Sequence, residues 1–319
     1  MVRGLSHRQS QSITMITIVL SDGTKGSIAC CKKVGAVQTV GMLGLKKSLL
    51  QLLPDDYECI VRPQKYQKAT GTPKKTTTMT SIVSGKYPYK NFIQQHFLPI
   101  LNAHLSRGKV LLVCYSFSCR AVSLLFQSLL TEDAAADPRQ LNLIQTNLIG
   151  IVLLSPPFGN NKKDHTVPVV LQQNEKDADQ DFFDQNWAAS YTFVPQWLPL
   201  HFIVGAKAKT RFKDWTKSLV EGLNAANVVV PAMADGMRKW WDENGERKKS
   251  VRTFRVIEDC KETFVDHVNS VAQAIAHLLT LGEGKGGKEG ETEGLEEEEE
   301  EEEGGERDES PSPKKKVKR

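Results

Sequence analysis

The residues best suited to chemistry lie in the stretch Lys109-Val-Leu-Leu-Val-Cys-Tyr-Ser-Phe-Ser-Cys-Arg-Ala-Val122. An unbroken apolar run from Val110 to Val113 reads as a buried strand, and Ala121 to Leu130 reads as a strongly apolar helix. Ser116 stands at the apex of the short turn between them, with the small residues Cys114 and Ser118 two positions to either side. A hydroxyl at such an apex projects from the end of a sheet, and bulky flanking side chains would collide with the adjoining strand and helix. The helix that follows aims its first backbone N–H groups, and the positive end of its dipole, at the place where an oxyanion would form. The chemistry expected here is nucleophilic attack by Ser116 on a carbonyl carbon.

Two further stretches have the composition of binding surfaces. Residues 62–90 hold Arg62, Lys65, Lys68, Lys74, Lys75, Lys86 and Lys90, interleaved with Tyr66, Tyr87 and Tyr89, and no acidic residue occurs between Glu58 and Glu132. Cations among aromatics bind phosphates and stack on bases, so an anionic partner is one expectation for this loop and a plain solvated loop is the other. Residues 158–198 are rich in aromatics, among them Phe158, Phe182, Phe183, Trp187, Tyr191, Phe193 and Trp197. These either wall an apolar pocket or pack on the core. Neither GxGxxG nor GxxxxGK[ST] occurs, so no nucleotide cofactor is expected. The six cysteines (Cys30, Cys31, Cys59, Cys114, Cys119, Cys260) form no CxxC pair and have no histidine at zinc-finger spacing, so no metal is expected and free thiols are.

The elements that must position these residues alternate. Strands are predicted at Ile13–Leu20, Tyr57–Val61, Val110–Val113, Ile149–Leu154, Leu200–Val204 and Thr253–Ile257. Helices are predicted at Met42–Leu53, Tyr89–Leu105 with a kink at Pro99, Ala121–Leu130, 210–226 and Asp266–Leu281, with 227–250 irregular. Apolar strands alternating with helices predict an α/β fold, a mostly parallel sheet with helices on both faces, and place function at the C-terminal ends of the strands.

Taken together, the turn at Ser116 resembles the GxSxG nucleophile elbow of the α/β-hydrolase superfamily, with Cys114 and Ser118 in place of the two glycines. The resemblance extends in chain order over about 260 residues, but the two leading strands usual in the family are not visible. It implies that Ile13–Leu20 and the following Ser21-Asp22-Gly23-Thr24 supply the second oxyanion N–H, from Asp22 or Gly23, and Phe117 the first. It implies that Val265-Asp266-His267 is the loop of the catalytic base, His267, and that residues 158–198 occupy the position of a lid. The family places its acid just past the glycine that ends its penultimate strand. Here Gly205-Ala206-Lys207-Ala208-Lys209 holds no carboxylate, and Asp214 is the nearest downstream, with Asp235, Asp242 and Asp164 as outlying candidates. The function implied is a serine hydrolase acting on a small-molecule ester or thioester. The departures at the elbow and at the acid favour instead a non-catalytic module that binds an anionic partner.

Charge and composition bound the rest. Residues 282–319 carry 15 acidic and 8 basic residues, whereas residues 1–120 carry 17 basic and only 4 acidic ones. Residues 296–303 are eight consecutive Glu, and no apolar face exists from 282 onward, so a domain at 1–281 followed by a disordered tail at 282–319 is expected. Pro313–Arg319 resembles a monopartite nuclear localisation signal, which implies an import receptor as partner and residence in the nucleus, the cytoplasm or both. Ser310-Pro311 and Ser312-Pro313 beside it could accept phosphate and weaken its charge. No run of 18 apolar residues occurs, so no membrane span is expected.

Overall fold

A computed structural model describes residues 15–21, 42–62, 97–131, 137–157, 188–208, 210–225, 233–234, 236–242, 249–261, 264 and 266–283. The chain divides into a unit spanning Met1–Gly282 and a second from Glu283 to Arg319; the sheet belongs to the first. Six strands, β1 (Ile16–Ser21), β2 (Tyr57–Arg62), β3 (Lys109–Tyr115), β4 (Leu148–Leu154), β5 (Leu200–Gly205) and β6 (Thr253–Ile257), form one sheet in the order β2-β1-β3-β4-β5-β6. Every neighbouring pair is parallel. The α/β expectation and the parallel sheet therefore hold.

Parallel strands must be covered on both faces, and the inner strands β3 and β4 are nearly continuous apolar runs for that reason, whereas the edge strands β2 and β6 carry the exposed Glu58 and Arg255. Val110, Leu112 and Cys114 of β3 enter one core, and Leu111 and Val113 enter the other. On the first face lie α2 (Leu98–Leu105), α3 (Phe117–Thr131) and α5 (Thr210–Asn224). On the second lie α1 (Met42–Leu52) and α7 (Val268–Glu283), the latter burying Val271, Ala272, Ile275 and Leu279 at helical spacing. Between α3 and β4 runs α4 (Pro138–Asn147), which begins where Asp137 accepts the Arg139 N–H at 2.9 Å with Pro138 following.

The remaining elements differ in detail from the sequence expectation. Helix α3 begins at Phe117, four residues before the predicted start, because the turn at Ser116 leads straight into it and Ser118, Cys119 and Arg120 are buried although two of them are polar. Helix α7 begins at Val268, so His267 precedes it and donates its N–H to the Phe264 carbonyl (3.1 Å). Pro99 lies in the first turn of α2, where its missing N–H has no partner to lose, so the described helix has no internal proline. Within the stretch expected to be irregular, Met237–Asp242 forms a short helix, α6, because Trp241 is buried and its indole N–H donates to the Thr192 carbonyl at 3.0 Å.

That indole is part of a tertiary bracket around Ala189–Phe193, a 3-10 turn. Trp197 Nε1 donates to the Trp240 carbonyl (2.7 Å), and buried Arg252 donates to the carbonyls of Leu198, Pro195 (2.7 Å) and Val194 (3.2 Å). Burial lowers the Arg252 pKa to about 10, so the guanidinium stays charged near neutrality and its charge is taken up by these carbonyl dipoles. Tyr191, Phe193 and Trp197 are buried in the core, so these aromatics of the 158–198 stretch are packing residues. Residues 158–187, the rest of the expected lid, lie outside the described residues, as do the basic residues 63–90 and the tail from 284. Among the described residues no helix is long and apolar enough to cross a membrane.

At the end of β5 the sheet tolerates no side chain. A Cβ on Gly205 would lie 2.4 Å from the Cys260 carbonyl oxygen and 2.6 Å from that of Lys261. Both contacts are to backbone, so the loop after β6 would have to move. Gly205→Ala is expected to lower stability by about 1–3 kcal/mol, several degrees in Tm, measured by thermal unfolding of the purified chain.

Candidate active site

The strand order reverses between β1 and β3, and in open α/β sheets that reversal opens a crevice at the carboxyl ends of the strands. Ser21 is the last residue of β1 and pairs in register with Cys114 of β3, so both strands end at this crevice. Two positions beyond Cys114, Ser116 adopts φ 53°. This is the left-handed region, rare for a residue with a side chain, and it arises because the chain must leave β3 and enter α3 within one residue. The turn is closed by the Cys119 N–H donating to the Ser116 carbonyl (3.0 Å), and the Ser116 N–H donates to the Leu154 carbonyl of β4 (2.9 Å). Phe117 is the first residue of the 15-residue helix α3. Its backbone N–H belongs to the first turn of that helix, whose N–H groups have no intrahelical acceptor.

Both residues that replace the glycines fit. Cys114 is fully buried, and burial pushes its thiol up to about 12, which keeps it protonated and unreactive. Cys119 is raised for the same reason. Ser118 is fully buried, and its hydroxyl is consumed by the turn: the oxygen accepts the Tyr115 N–H (2.7 Å), and its proton is offered to the carbonyls of Ser21 (2.8 Å) and Tyr115 (2.9 Å). Here Ser118 ties the end of β1 to the turn, a contact glycine could not make.

His267 stands where the loop after β6 meets α7, half-buried, and this loop reaches the serine turn through Phe264. The Phe264 ring meets that of Tyr115, the residue before Ser116, edge-on with centroids 6.3 Å apart. The other described histidines lie elsewhere. His201, near the start of β5, bonds Thr253 Oγ1 at 2.7 Å, and burial holds it neutral with a pKa of about 4. His104 is buried in α2, and His277 is exposed in the middle of α7.

The acid is a different matter. Asp214 is exposed on the second turn of α5, and among the described residues no hydrogen bond or ion pair joins it to His267. Asp22 and Gly23, the oxyanion donors expected from the loop after β1, lie outside the described residues, as do Asp164 and Asp235. Asp242 on α6 is paired with Arg238 at 2.6 Å. One carboxylate that sequence reasoning passed over stands at the same edge as His267. Asp259, two residues past β6, pairs with Lys207 at 2.8 Å. The hydrogen bond from Lys207, and then its charge, hold the Asp259 carboxyl below the usual carboxylate range, and His267 adds in the same direction. No local signal in the sequence pointed to it, because an exposed lysine such as Lys207 requires no partner and the pairing is made between the ends of neighbouring strands.

No protein-family model matches the chain, and no curated protein matches it. Solved structures do resemble it. Est1E from Butyrivibrio proteoclasticus, determined with ferulic acid bound, is 10% identical over 86% of this chain and 92% of its own, with a TM-score of 0.44. An alpha-beta serine hydrolase homologue from Coxiella burnetii is 9% identical over 83% of this chain and 85% of its own, with a TM-score of 0.40. An uncharacterized protein from Bacillus cereus is 10% identical over 89% of this chain, with a TM-score of 0.42, and this chain spans 64% of that protein's length. At such identities the likeness concerns the fold alone. The chain's own geometry shows a doubly wound, parallel α/β sheet with helices on both faces and a left-handed serine between β3 and α3.

Proposed function

We propose that the chain is a serine hydrolase that cleaves a carboxylic ester or thioester. The observation that supports it is the left-handed Ser116, presented between a buried strand and the N-terminus of a buried helix at the crevice of the sheet. In this reading Ser116 Oγ attacks the carbonyl carbon while His267 takes its proton. The oxyanion is held by the backbone N–H of Phe117 and that of Asp22 or Gly23. Collapse of the tetrahedral intermediate breaks the bond to the alcohol or thiol, which leaves with the proton from His267. Water, deprotonated by the same imidazole, then releases the acid and restores Ser116. Asp214, the acid expected from the sequence, lies exposed on α5 with no described hydrogen bond or ion pair to His267, so this reading gives it no role.

A second reading is favoured by Lys207, which occupies the place where the resemblance expects the acid. In it the fold serves as a non-catalytic module that binds an anionic partner through the basic loop 62–90. Covalent labelling separates the two. A fluorophosphonate probe is expected to label the full chain at Ser116, Ser116→Ala is expected to abolish labelling, and ester or thioester turnover should fall by more than about 10³-fold. A folded wild-type chain that takes no label would favour the binding module.

The strain at Ser116 makes an independent prediction. Glycine adopts φ 53° freely, whereas alanine does not. Ser116→Gly should therefore be more stable than Ser116→Ala by about 1 kcal/mol in denaturant unfolding, although both are inactive.

We propose further that Pro313–Arg319 directs the chain to the nucleus through an import receptor. A fluorescent fusion is expected to accumulate in nuclei with the tail and to lose that accumulation without residues 310–319. Equal distribution of the two fusions would reject the signal.

A further inference from the structure

We propose that Ser155, at the exit of β4, is a further catalytic residue: its hydroxyl donates a hydrogen bond to the leaving oxygen of the substrate as the bond to the carbonyl carbon breaks. The role rests on the hydrolase reading above and deepens it.

Two strand exits share one geometry. Tyr115 of β3 lies opposite Leu154 of β4, and Leu154 lies opposite Ile203 of β5. The Ser116 N–H donates to the Leu154 carbonyl (2.9 Å), and the Ser155 N–H repeats that bond one strand along, to the Ile203 carbonyl (3.0 Å). Ser116 and Ser155 therefore stand at one level of the sheet, separated by the spacing of neighbouring strands, about 5 Å. Both are left-handed, φ 53° and φ 46°, and both are half-buried. The N–H direction and φ together fix where a Cβ points, and the two serines share both. Ser155 thus faces the crevice that Ser116 faces.

Ser155 departs twice from ordinary backbone preference. A left-handed residue with a side chain is uncommon, and a residue before proline is pushed toward extended backbone. Such strain persists only where the surroundings hold it, and it clusters where ligands are handled. Here buried β4 and buried Pro156 hold it from either side. Pro156 and Pro157 carry no N–H, and the Ser155 N–H is spent on β5. The hydroxyl of Ser155 is the one further donor that this exit carries. A hydroxyl has one proton and two lone pairs and rotates to suit, so a contact inside the protein does not exclude one to a ligand.

Sheet order supplies the role. Strand β1, whose following loop is expected to give the second oxyanion N–H, lies on one side of β3, and β4 lies on the other. The loop that carries His267 follows β6, on the β4 side, and reaches Tyr115 through Phe264. Ser155 therefore stands on the side from which His267 protonates the departing group, away from the oxyanion donors. When the tetrahedral intermediate collapses, the electron pair of the breaking carbon–oxygen bond passes to the leaving oxygen. The Ser155 O–H donates to that oxygen and keeps its own proton, while His267 supplies the proton that departs. Such help is worth most where most charge develops, so the site suits an oxygen ester of a weakly acidic alcohol better than a thioester.

The test labels the full chain with two phosphonate esters that share one alkyl group and differ in the group expelled: para-nitrophenoxide, which leaves readily, or phenoxide, which leaves poorly. In Ser155→Ala the phenoxide probe is expected to label Ser116 roughly 10- to 100-fold more slowly, and the para-nitrophenoxide probe to stay within about threefold of wild type. Ser155→Gly relieves the left-handed strain but also lacks the hydroxyl, so the same selective loss is expected of it. An equal loss on both probes, or no loss on either, would overturn the role of Ser155 and leave the hydrolase reading standing. Recovery of the phenoxide rate in Ser155→Gly would do the same, since backbone strain and not the hydroxyl would then be responsible. A wild type that takes the fluorophosphonate but not the phenoxide probe would also overturn it. A folded wild type that takes none of the three would overturn the hydrolase reading and the role of Ser155 together.

Discussion

A serine in the left-handed region costs about 1–2 kcal/mol, and the junction of β3 with α3 holds Ser116 there all the same. Strand β3 is central in the sheet, buried on both faces, and α3 is buried along most of its length, so neither can shift to relieve the strain. Burial of each large aliphatic side chain in these two elements contributes about 1.5–3 kcal/mol, enough in sum to outweigh one strained residue many times over. Ser118 completes the constraint by binding the turn to the last carbonyl of β1. The position of the candidate nucleophile is therefore set by the core, and the rest of the site is arranged around it.

Polar groups do the arranging at the other strand ends. Parallel strands finish together at one edge, and each exit must satisfy its own backbone groups. The exits of β5 and β6 do so against each other, which leaves no room for a side chain at Gly205 and brings Lys207 to Asp259. The exit of β4 resembles that of β3: Ser155 is also left-handed (φ 46°), and its N–H donates to the Ile203 carbonyl at 3.0 Å. Catalytic groups on such a fold come from several strand ends, so a residue's place in the chain says little about which neighbour it will meet.

A different balance governs the face that carries Ala189–Phe193. Two buried arginines, Arg120 and Arg252, lie within the first core's surroundings, and Arg252 is held by the carbonyls of Val194, Pro195 and Leu198. Charges buried this deeply are tolerated only where their hydrogen bonds are met. The carbonyls that follow the 3-10 turn accept from both terminal nitrogens of Arg252, while its buried Nε has no hydrogen-bond partner among the described residues. The aromatic residues Tyr191, Phe193 and Trp197 then fill the core that this bracket closes.

How much of this was legible beforehand follows from the range of each interaction. Apolar runs and the breakers between them are local, so the sequence alone determined the strands, their alternation with helices, the parallel α/β class and the turn at Ser116. The same local pattern could not reveal that α3 starts at Phe117, because its first turn is buried through contacts to β1 and to the segment at Ser190 rather than through apolar periodicity. Nor could it reveal the helix around Trp241, whose partners lie at Thr192 and Gln196. Searching past Gly205 for an acid met only lysines, since the carboxylate that meets Lys207 lies more than fifty residues on, at Asp259. Tertiary structure decided that pairing because strands adjacent in the sheet bring their ends together whatever the length of chain between them, and hydrogen bonds and charges act across that short distance in space.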